Sequence, residues 1–447
     1  MSEKLTGNDL LQYIDQMNDP EKLKKALEFI HPADILDALE DSDIDQISFL
    51  ARLPNDILAE IIEEADDEDK NEIFDLFEGQ KQQQIISEMA SDELVDLLET
   101  LDPKDADDLI ASLEPEEASK LKSLMRYDPE TAGGIMATEF VAIKEAMTVK
   151  EALEYLQQYG EEAEALFYIY VLDKQGALQG VISLRDIVVS RFDTHLRDLT
   201  NPNVLSVTPE MDQEEVARIF HKYGFSSIPV VDQRNKMLGI ITADDALEVV
   251  VDESTEDFEK MSALAHSDLE YLDSGIIDLA RRRILWLLFL MISATFTGFI
   301  IQGYEAALTE MVILAAFIPI LMDTGGNAGA QSATLIIRGM ALGEIDISDY
   351  SKVFFKELRI SLLVGVTLAV VNFLRILLFN RDMMLGITVS VAMLFTVVTA
   401  KIVGCSLPII ARKLRIDPAI MAAPIITTIV DALSLMVYFW LATTIYI

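Results

Sequence analysis

Five long apolar stretches follow Arg283, at 284–302, 311–337, 360–379, 383–410 and 418–447. A helix needs about 20 apolar residues to cross a bilayer, so each is expected to span one. Nothing constrains the fold more. In hydrocarbon every backbone N–H and C=O must be satisfied within the segment, and only helices do that one span at a time. The charge of the chain divides at the same place. From Ile284 onward 10 acids balance 10 bases, whereas the residues before it hold 65 acids against 25 bases. The net charge of −40 therefore belongs to the first part alone. The two parts are built for different solvents.

The loops give an orientation. Arg281, Arg282 and Arg283 precede the first span; Arg338, Lys352, Lys356 and Arg359 lie between the second and third; Arg412, Lys413 and Arg415 lie between the fourth and fifth. Bases concentrate on the cytoplasmic side. The N-terminus is thus expected in the cytoplasm and the C-terminus outside a cell (inner or plasma) membrane crossed several times. The opening MSEKLTGNDLLQYIDQMNDPEK is polar and acidic, unlike a signal peptide. The single cysteine, Cys405, excludes an intrachain disulfide. So acidic a soluble part also argues against nucleic acid as a partner, because phosphates are met by clustered Lys and Arg.

The first 130 residues read as short stacked helices forming a superhelix. HPADILDALE, LPNDILAEII, ASDELVDLLE and DPKDADDLIA each place acids as caps before an amphipathic run. From 131 to 250 a repeat appears, divided near 200. YVLDKQGALQGVISLRDIV from Tyr170 matches PVVDQRNKMLGIITADDAL from Pro229, pairing Asp173 with Asp232, Gly180 with Gly239 and Asp186 with Asp245. A helix precedes each copy, so each unit reads helix, strand, turn, strand, helix. Residues 251–275 read as one acidic connecting helix ending at the basic Arg281–Arg283 run, and 276–447 as the membrane domain. The fold class is a multidomain α-helical membrane protein with an α/β pair inside its soluble part.

Two features of the spans carry chemistry. The stretch LMDTGGNAGAQSATLIIRG from Leu321 crowds Thr324, Asn327, Gln331 and three glycines into the second span. Polar groups at membrane depth persist only inside protein or along water. Asn327 and Gln331 are four apart and share a helix face. The glycines permit close helix approach and free carbonyls. Asp431 is the one acidic or basic residue after Asp417. Its burial at mid-membrane costs about 2.5 to 3.5 kcal/mol on insertion scales, and such residues mark ion paths. The plain alternative is an Asp431 paired with a base such as Lys401, although Lys401 can snorkel to the cytoplasmic side. Thr427 and Ala423, one and two turns earlier, can add hydroxyl or carbonyl oxygens, and Pro424 frees the carbonyl of Ile420. Carboxylates in a wet path suit a hard dication such as Mg²⁺, which sheds its waters reluctantly.

The repeated units resemble a tandem pair of CBS domains. In each, Ser or Thr stands three residues before Asp after the second strand: Ser183 to Asp186 and Thr242 to Asp245. The resemblance implies an adenine nucleotide such as ATP held by Ser183, Arg185, Asp186, Thr242 and Asp245, and it implies a homodimer. The whole order of parts, with YDPETAGGIMATEF from Tyr127, TGGNAGAQSATLIIRG from Thr324 and the Asp431 region, resembles the MgtE family of magnesium channels and transporters. That resemblance implies Mg²⁺ uptake and closure by cytosolic Mg²⁺, which would draw repelling acidic surfaces together. By position it points to Glu248, Glu253, Glu256 and Asp257 as sensing ligands. Asp417 near the pore mouth is expected to meet them, and Asp92 and Asp96 share a face of an N-domain helix.

Rival classes fit less well. A membrane metalloprotease needs ligands such as HExxH in a span, yet His31, His195, His221 and His266 all precede the spans. A receptor with an inert anchor has no use for Asp431. A coupled carrier of another divalent cation, such as Co²⁺ or Mn²⁺, would share the same membrane chemistry and stays open.

Overall fold

The computed structural model describes residues 7–17, 19–27, 29–40, 42, 44–160, 163–265, 275–421 and 423–445. The chain forms two units, Met1–Val250 and Val251–Ile447.

Among the described residues ten short helices build the first part of unit one: α1 (Asn8–Asp15), α2 (Pro20–Leu27), α3 (Pro32–Glu40), α4 (Gln46–Leu50), α5 (Asn55–Glu63), α6 (Asp67–Asp75), α7 (Gln80–Ile86), α8 (Ser91–Thr100), α9 (Pro103–Ser112) and α10 (Pro115–Leu124). Packing runs from α1 to α3, α5 and α7, and from α6 to α8 and α10, as stacked repeats require. Their apolar stripes meet in one core, in which Leu11, Ile35, Leu58, Ile61, Ile62 and Phe74 are fully buried. Burying each such side chain contributes about 1.5 to 3 kcal/mol. One expectation needs correction. The acids at these helix starts do not cap them: Pro54, Ala90 and Asp102 hold the N-cap positions of α5, α8 and α9 without any side-chain cap bond. Asp56, Asp92, Glu93 and Asp105 lie instead in the first turns, where a negative charge meets the positive end of the helix dipole.

The repeat folds as an α/β pair. β1 (Phe140–Lys144), α11 (Val149–Tyr159), β2 (Ala165–Leu172), β3 (Leu178–Ser183) and α12 (Leu184–Val189) make the first unit of the pair. α13 (Gln213–Tyr223), β4 (Ser227–Val231), β5 (Met237–Thr242) and α14 (Ala243–Met261) make the second. β1 runs parallel to β2, and β2 antiparallel to β3; β4 and β5 form the matching hairpin. Asp173 and Asp232 close the two hairpin turns alike, each carboxylate accepting from the backbone N–H groups two and four residues on. The repeats also exchange their entering strands. Ala137, ahead of the first, pairs with Ile240 of the second, while Asn201, ahead of the second, pairs with Val181 of the first. Gly180 and Gly239 make room: a Cβ would stand 2.7 Å from the Asn201 carbonyl oxygen and 2.5 Å from that of Ala137.

The connecting helix departs from expectation at both ends. α14 begins at Ala243 and runs without interruption through Val250 to Met261, where it stops; Ala263 has φ 55°. The helix expected to reach the arginine run therefore ends well before it, and residues 266–274 lie outside the described part. Arg281, Arg282 and Arg283 sit inside the first membrane helix, α15 (Ile276–Gly303).

α16 (Glu305–Glu310), α17 (Ile318–Ala341), α18 (Tyr350–Phe379), α19 (Met383–Lys413) and α20 (Ala423–Ile445) follow. Among the described residues five helical segments are long and apolar enough to cross a membrane: Leu279–Gly303, Val312–Ala341, Ile347–Phe379, Met383–Lys413 and Pro418–Ile445. α17, α19 and α20 pack together at the centre, α18 lies against α19, and α15 against α20. Leu314, Leu321, Val389, Leu435, Tyr438 and Phe439 form the buried core at one end, and the Tyr438 hydroxyl donates to the Leu314 carbonyl at 2.9 Å.

Candidate ion path and regulatory acids

The polar stretch at Thr324 does not loosen its helix. α17 is continuous through Gly325, Gly326 and Gly329, and all three are buried. Their purpose is contact. A Cβ on Gly325 would stand 2.9 Å from Val430 Cγ1, on Gly326 2.9 Å from Thr427 Cγ2, and on Gly329 2.7 Å from Ile426 Cγ2. α17 thus crosses α20 antiparallel, with the level of Gly325 beside Val430 and that of Gly329 beside Ile426. On the other side, a Cβ on Gly404 of α19 would stand 2.3 Å from the Gly329 carbonyl oxygen. α17 is clamped between two helices through glycine.

The side chains beside this glycine face are the sequence candidates. Asn327 and Gln331 are exposed in the single chain and Thr324 is half-buried. Asn327 Nδ2 donates to Asp323 Oδ1 at 3.1 Å, one turn away. Across the crossing Asp431 is half-buried, and its Oδ1 is buried with no hydrogen-bond partner. Thr427 Oγ1 donates to the Pro424 carbonyl at 3.0 Å, which leaves its lone pairs to accept or to ligate. Pro424 stands in the first turn of α20, where a missing N–H disturbs nothing, so the Ile420 carbonyl belongs to the helix start and not to a mid-span break. Ala423 is the first residue of α20.

Lys401 does not pair with Asp431, nor does it snorkel. It is 6 % exposed, its Nζ donates to Ser332 Oγ at 3.3 Å and lies 3.9 Å from Glu357 Oε2, and Ser332 Oγ donates to Glu357 Oε2 at 2.6 Å. Asp431 is left without the cation that the plain reading required.

The cytosolic acids fall into two groups. In unit one, Asp92 of α8 is 9 % exposed. Burial pushes its carboxyl well above the usual carboxylate range, and the charges of Asp245, Glu93 and Glu164 push it further. Burial likewise raises Asp245, whose Oδ2 accepts from the Thr242 N–H at 2.8 Å. Lys70, 5 % exposed, lies 2.9 Å from Glu93 Oε2. Burial opposes its charge, but Glu93, Asp96 and Glu248 outweigh that and hold its pKa above the usual lysine value. Asp92, Asp96, Asp245 and Glu248 are therefore electrostatic neighbours across the N-terminal helices and the second repeat. The first repeat differs: Ser183 Oγ donates to Asp186 Oδ2 at 2.6 Å and accepts from the Asp186 N–H at 3.1 Å, so the motif closes on itself as the cap of α12. Arg185 beside it is exposed.

In unit two, Glu253, Glu256, Asp257 and Lys260 share one side of α14. Lys260 Nζ lies 2.6 Å from Asp417 Oδ2 and also contacts Glu256. Burial works against this ammonium, yet the two carboxylates hold its pKa well above the usual value. The Asp417 Oδ1 accepts from the Ala419 N–H at 2.7 Å, which fixes the carboxylate at the entrance to the last span. Asp417 and Glu256 contact the same ammonium, that of Lys260, a residue that sequence reasoning left out. Among the described residues no three His, Cys, Asp or Glu side chains stand close enough together to hold a metal ion.

Comparison with known proteins matches residues 318–441 to the family model described as a divalent cation transporter, 30–130 to the MgtE intracellular N domain, and 132–192 and 196–252 to CBS domains. The magnesium transporter MgtE of Thermus thermophilus is 37% identical over 443 residues, covering 98% of each chain. The chain belongs to the MgtE family of magnesium transporters. The magnesium transporter MgtE of Bacillus subtilis is 34% identical over 88% of this chain and 87% of its own. A crystal structure of the soluble part of a magnesium transporter is 32% identical, with a TM-score of 0.51, over 55% of this chain and 97% of that one. As an MgtE relative the chain is a multi-pass membrane protein that transports Mg²⁺ and is not an enzyme.

Sequence reasoning missed Asp323, Lys260 and the Ser332–Glu357–Lys401 group. Asp323 stood in the stretch quoted for its polarity, and its spacing of four from Asn327 was a usable signal. Glu357 and Lys401 lie on different helices, and no sequence period joins them.

Proposed function

We propose that Mg²⁺ crosses the membrane along the polar sides of α17 and α20 and that cytosolic Mg²⁺ closes this route at the acids of the connecting helix. Asp431 supplies the charge that attracts a hydrated dication. Thr427, Thr324, Asn327, Gln331 and the Ala423 carbonyl supply oxygens that meet its waters. The acids Glu248, Glu253, Glu256, Asp257 and Asp417, with Asp92 and Asp96, bind regulatory Mg²⁺. Ions stabilise the closed state only by binding it more tightly than the open one. The observation that carries this reading is the ammonium of Lys260 lying against Asp417, with Glu256 beside it. Two carboxylates from separate elements already share one cation, and Mg²⁺ with its higher charge displaces it.

The N-terminus faces the cytoplasm and the C-terminus the outside. Two chains form the working unit, bringing two copies of Asp431 to one axis. An adenine nucleotide binds at Ser183, Arg185, Asp186, Thr242 and Asp245, provided that the Ser183–Asp186 bond opens to receive it.

Currents across a planar bilayer, with Mg²⁺ as the permeant cation, test the reading. Conductance that falls as cytosolic Mg²⁺ rises to about 10 mM, well above the dissociation constants of weak carboxylate sites, and that is absent in Asp431→Ala, is the expected result. Flux that appears only under an imposed gradient of a second ion moves the protein to the coupled carriers.

A further inference from the structure

Asp323 is a charged residue in a span of mean hydropathy 1.4, and it is exposed in the single chain. A bare carboxylate facing lipid is strongly unfavourable, so that face of α17 meets water or protein. Its one-turn neighbour Asn327 turns an amide toward it at 3.1 Å, orienting the carboxylate and leaving Asp323 Oδ2 for another partner. The glycine crossing sets its level: Gly325, two residues on, lies beside Val430, the residue before Asp431. Asp431 Oδ1 is itself buried without a hydrogen-bond partner among the described residues. Two acids on adjacent helices thus stand near one level of the crossing. Like charges at one level of a membrane bundle repel unless a cation joins them.

We propose that Asp323 is a second cation ligand of the ion path, lying outward of Asn327, and that it shares a hydrated divalent cation with Asp431. This rests on the reading of Asp431 as the carboxylate of the path. A hydrated ion fits because Asp323, Asn327 and Asp431 offer few oxygens, and Mg²⁺ keeps most of its own water in such sites.

Mg²⁺ uptake into proteoliposomes, measured over a range of external Mg²⁺, tests this with Asp323→Asn, Asp323→Glu and Asp431→Asn beside the unaltered chain. Cobalt(III) hexaammine, an inert mimic of a hydrated cation, serves as blocker. Asp323→Asn is expected to raise both the half-saturating Mg²⁺ and the blocking concentration about tenfold, the equivalent of about 1.4 kcal/mol. Asp323→Glu keeps the charge and is expected to stay within about twofold, on the order of 0.4 kcal/mol. Unchanged half-saturation and block in Asp323→Asn, with uptake lost in Asp431→Asn, overturns the role of Asp323 and leaves Asp431 in the path. Equal impairment in Asp323→Asn and Asp323→Glu also overturns it, since a ligand tolerates the longer carboxylate better than the amide. Uptake and block unaltered in Asp431→Asn removes the parent reading as well.

Discussion

Lys260 of the connecting helix and Asp417 at the start of the last span form an ion pair of 2.6 Å, with Glu256 on the same ammonium. On the function proposed above, the lysine occupies the place of the regulatory cation. Lys260→Met is therefore expected to let Mg²⁺ bind the vacated carboxylates more tightly and to close conduction at cytosolic Mg²⁺ lower by about tenfold. Asp417→Asn is expected to shift closure the opposite way. Bilayer recordings against stepped cytosolic Mg²⁺ give both thresholds. A threshold unmoved in Lys260→Met removes the lysine from the sensor.

The buried group of Ser332, Glu357 and Lys401 makes a second prediction. Glu357 is 7 % exposed and Lys401 6 %. Removing one partner strands a buried charge, so Lys401→Met is expected to cost about 3 to 5 kcal/mol. Lys401→Met with Glu357→Gln is expected to recover most of it. Thermal unfolding of the purified protein in detergent compares the two. Equal losses in the single and double variants would mean that packing, not charge, is what Lys401 supplies.

Gly404 and Gly298 offer a paired test of the helix clamp. A Cβ on Gly404 meets the Gly329 carbonyl oxygen at 2.3 Å, whereas one on Gly298 meets nothing within 4 Å. Gly404→Ala is expected to destabilise by at least about 1 to 3 kcal/mol through overpacking and to lower uptake by pushing α17 off α19. Gly298→Ala is expected to leave both unchanged. The yield of monodisperse protein, followed by Mg²⁺ uptake, reads the outcome.

Acidity of unit one gives a pH dependence. Burial pushes Glu63 up to about 7, although the Ala90 N–H it accepts at 2.9 Å works the other way. Asp92 is raised as well. The folded state therefore binds more protons than the unfolded one between about pH 4.5 and 7, and stability falls as pH rises through that window. The first thermal transition is expected at higher temperature at pH 5 than at pH 7.5, and Glu63→Gln is expected to flatten the difference. Millimolar Mg²⁺ is expected to raise the transition more at pH 7.5, where the acids are charged. A transition that rises with pH would contradict this.

The division of the chain was legible because hydropathy and charge change together at Arg283, and the repeat because Asp173, Gly180 and Asp186 recur at a fixed interval. Short-range signals of that kind survive in sequence. The extra strand β1 and the exchanged entering strands were not visible, since both arise from pairing between distant segments. In the site, Asp431 announced itself by isolation among apolar residues. The glycines of α17 were ambiguous, because a helix breaker and a helix contact use the same residue, and only the neighbours Ile426, Thr427 and Val430 decide between them. Lys260 went unread for another reason: a lysine at the end of an acidic helix looks like ordinary dipole compensation until Asp417 arrives from far along the chain.

The limit between the two units falls inside α14, which stays helical from Ala243 to Met261. Nineteen residues at about 1.5 Å each make a shaft of about 28 Å. The helix stops two residues before Ala263, which takes a left-handed backbone conformation. A glycine pair introduced near Val251 would weaken that shaft by roughly 1 kcal/mol for each glycine.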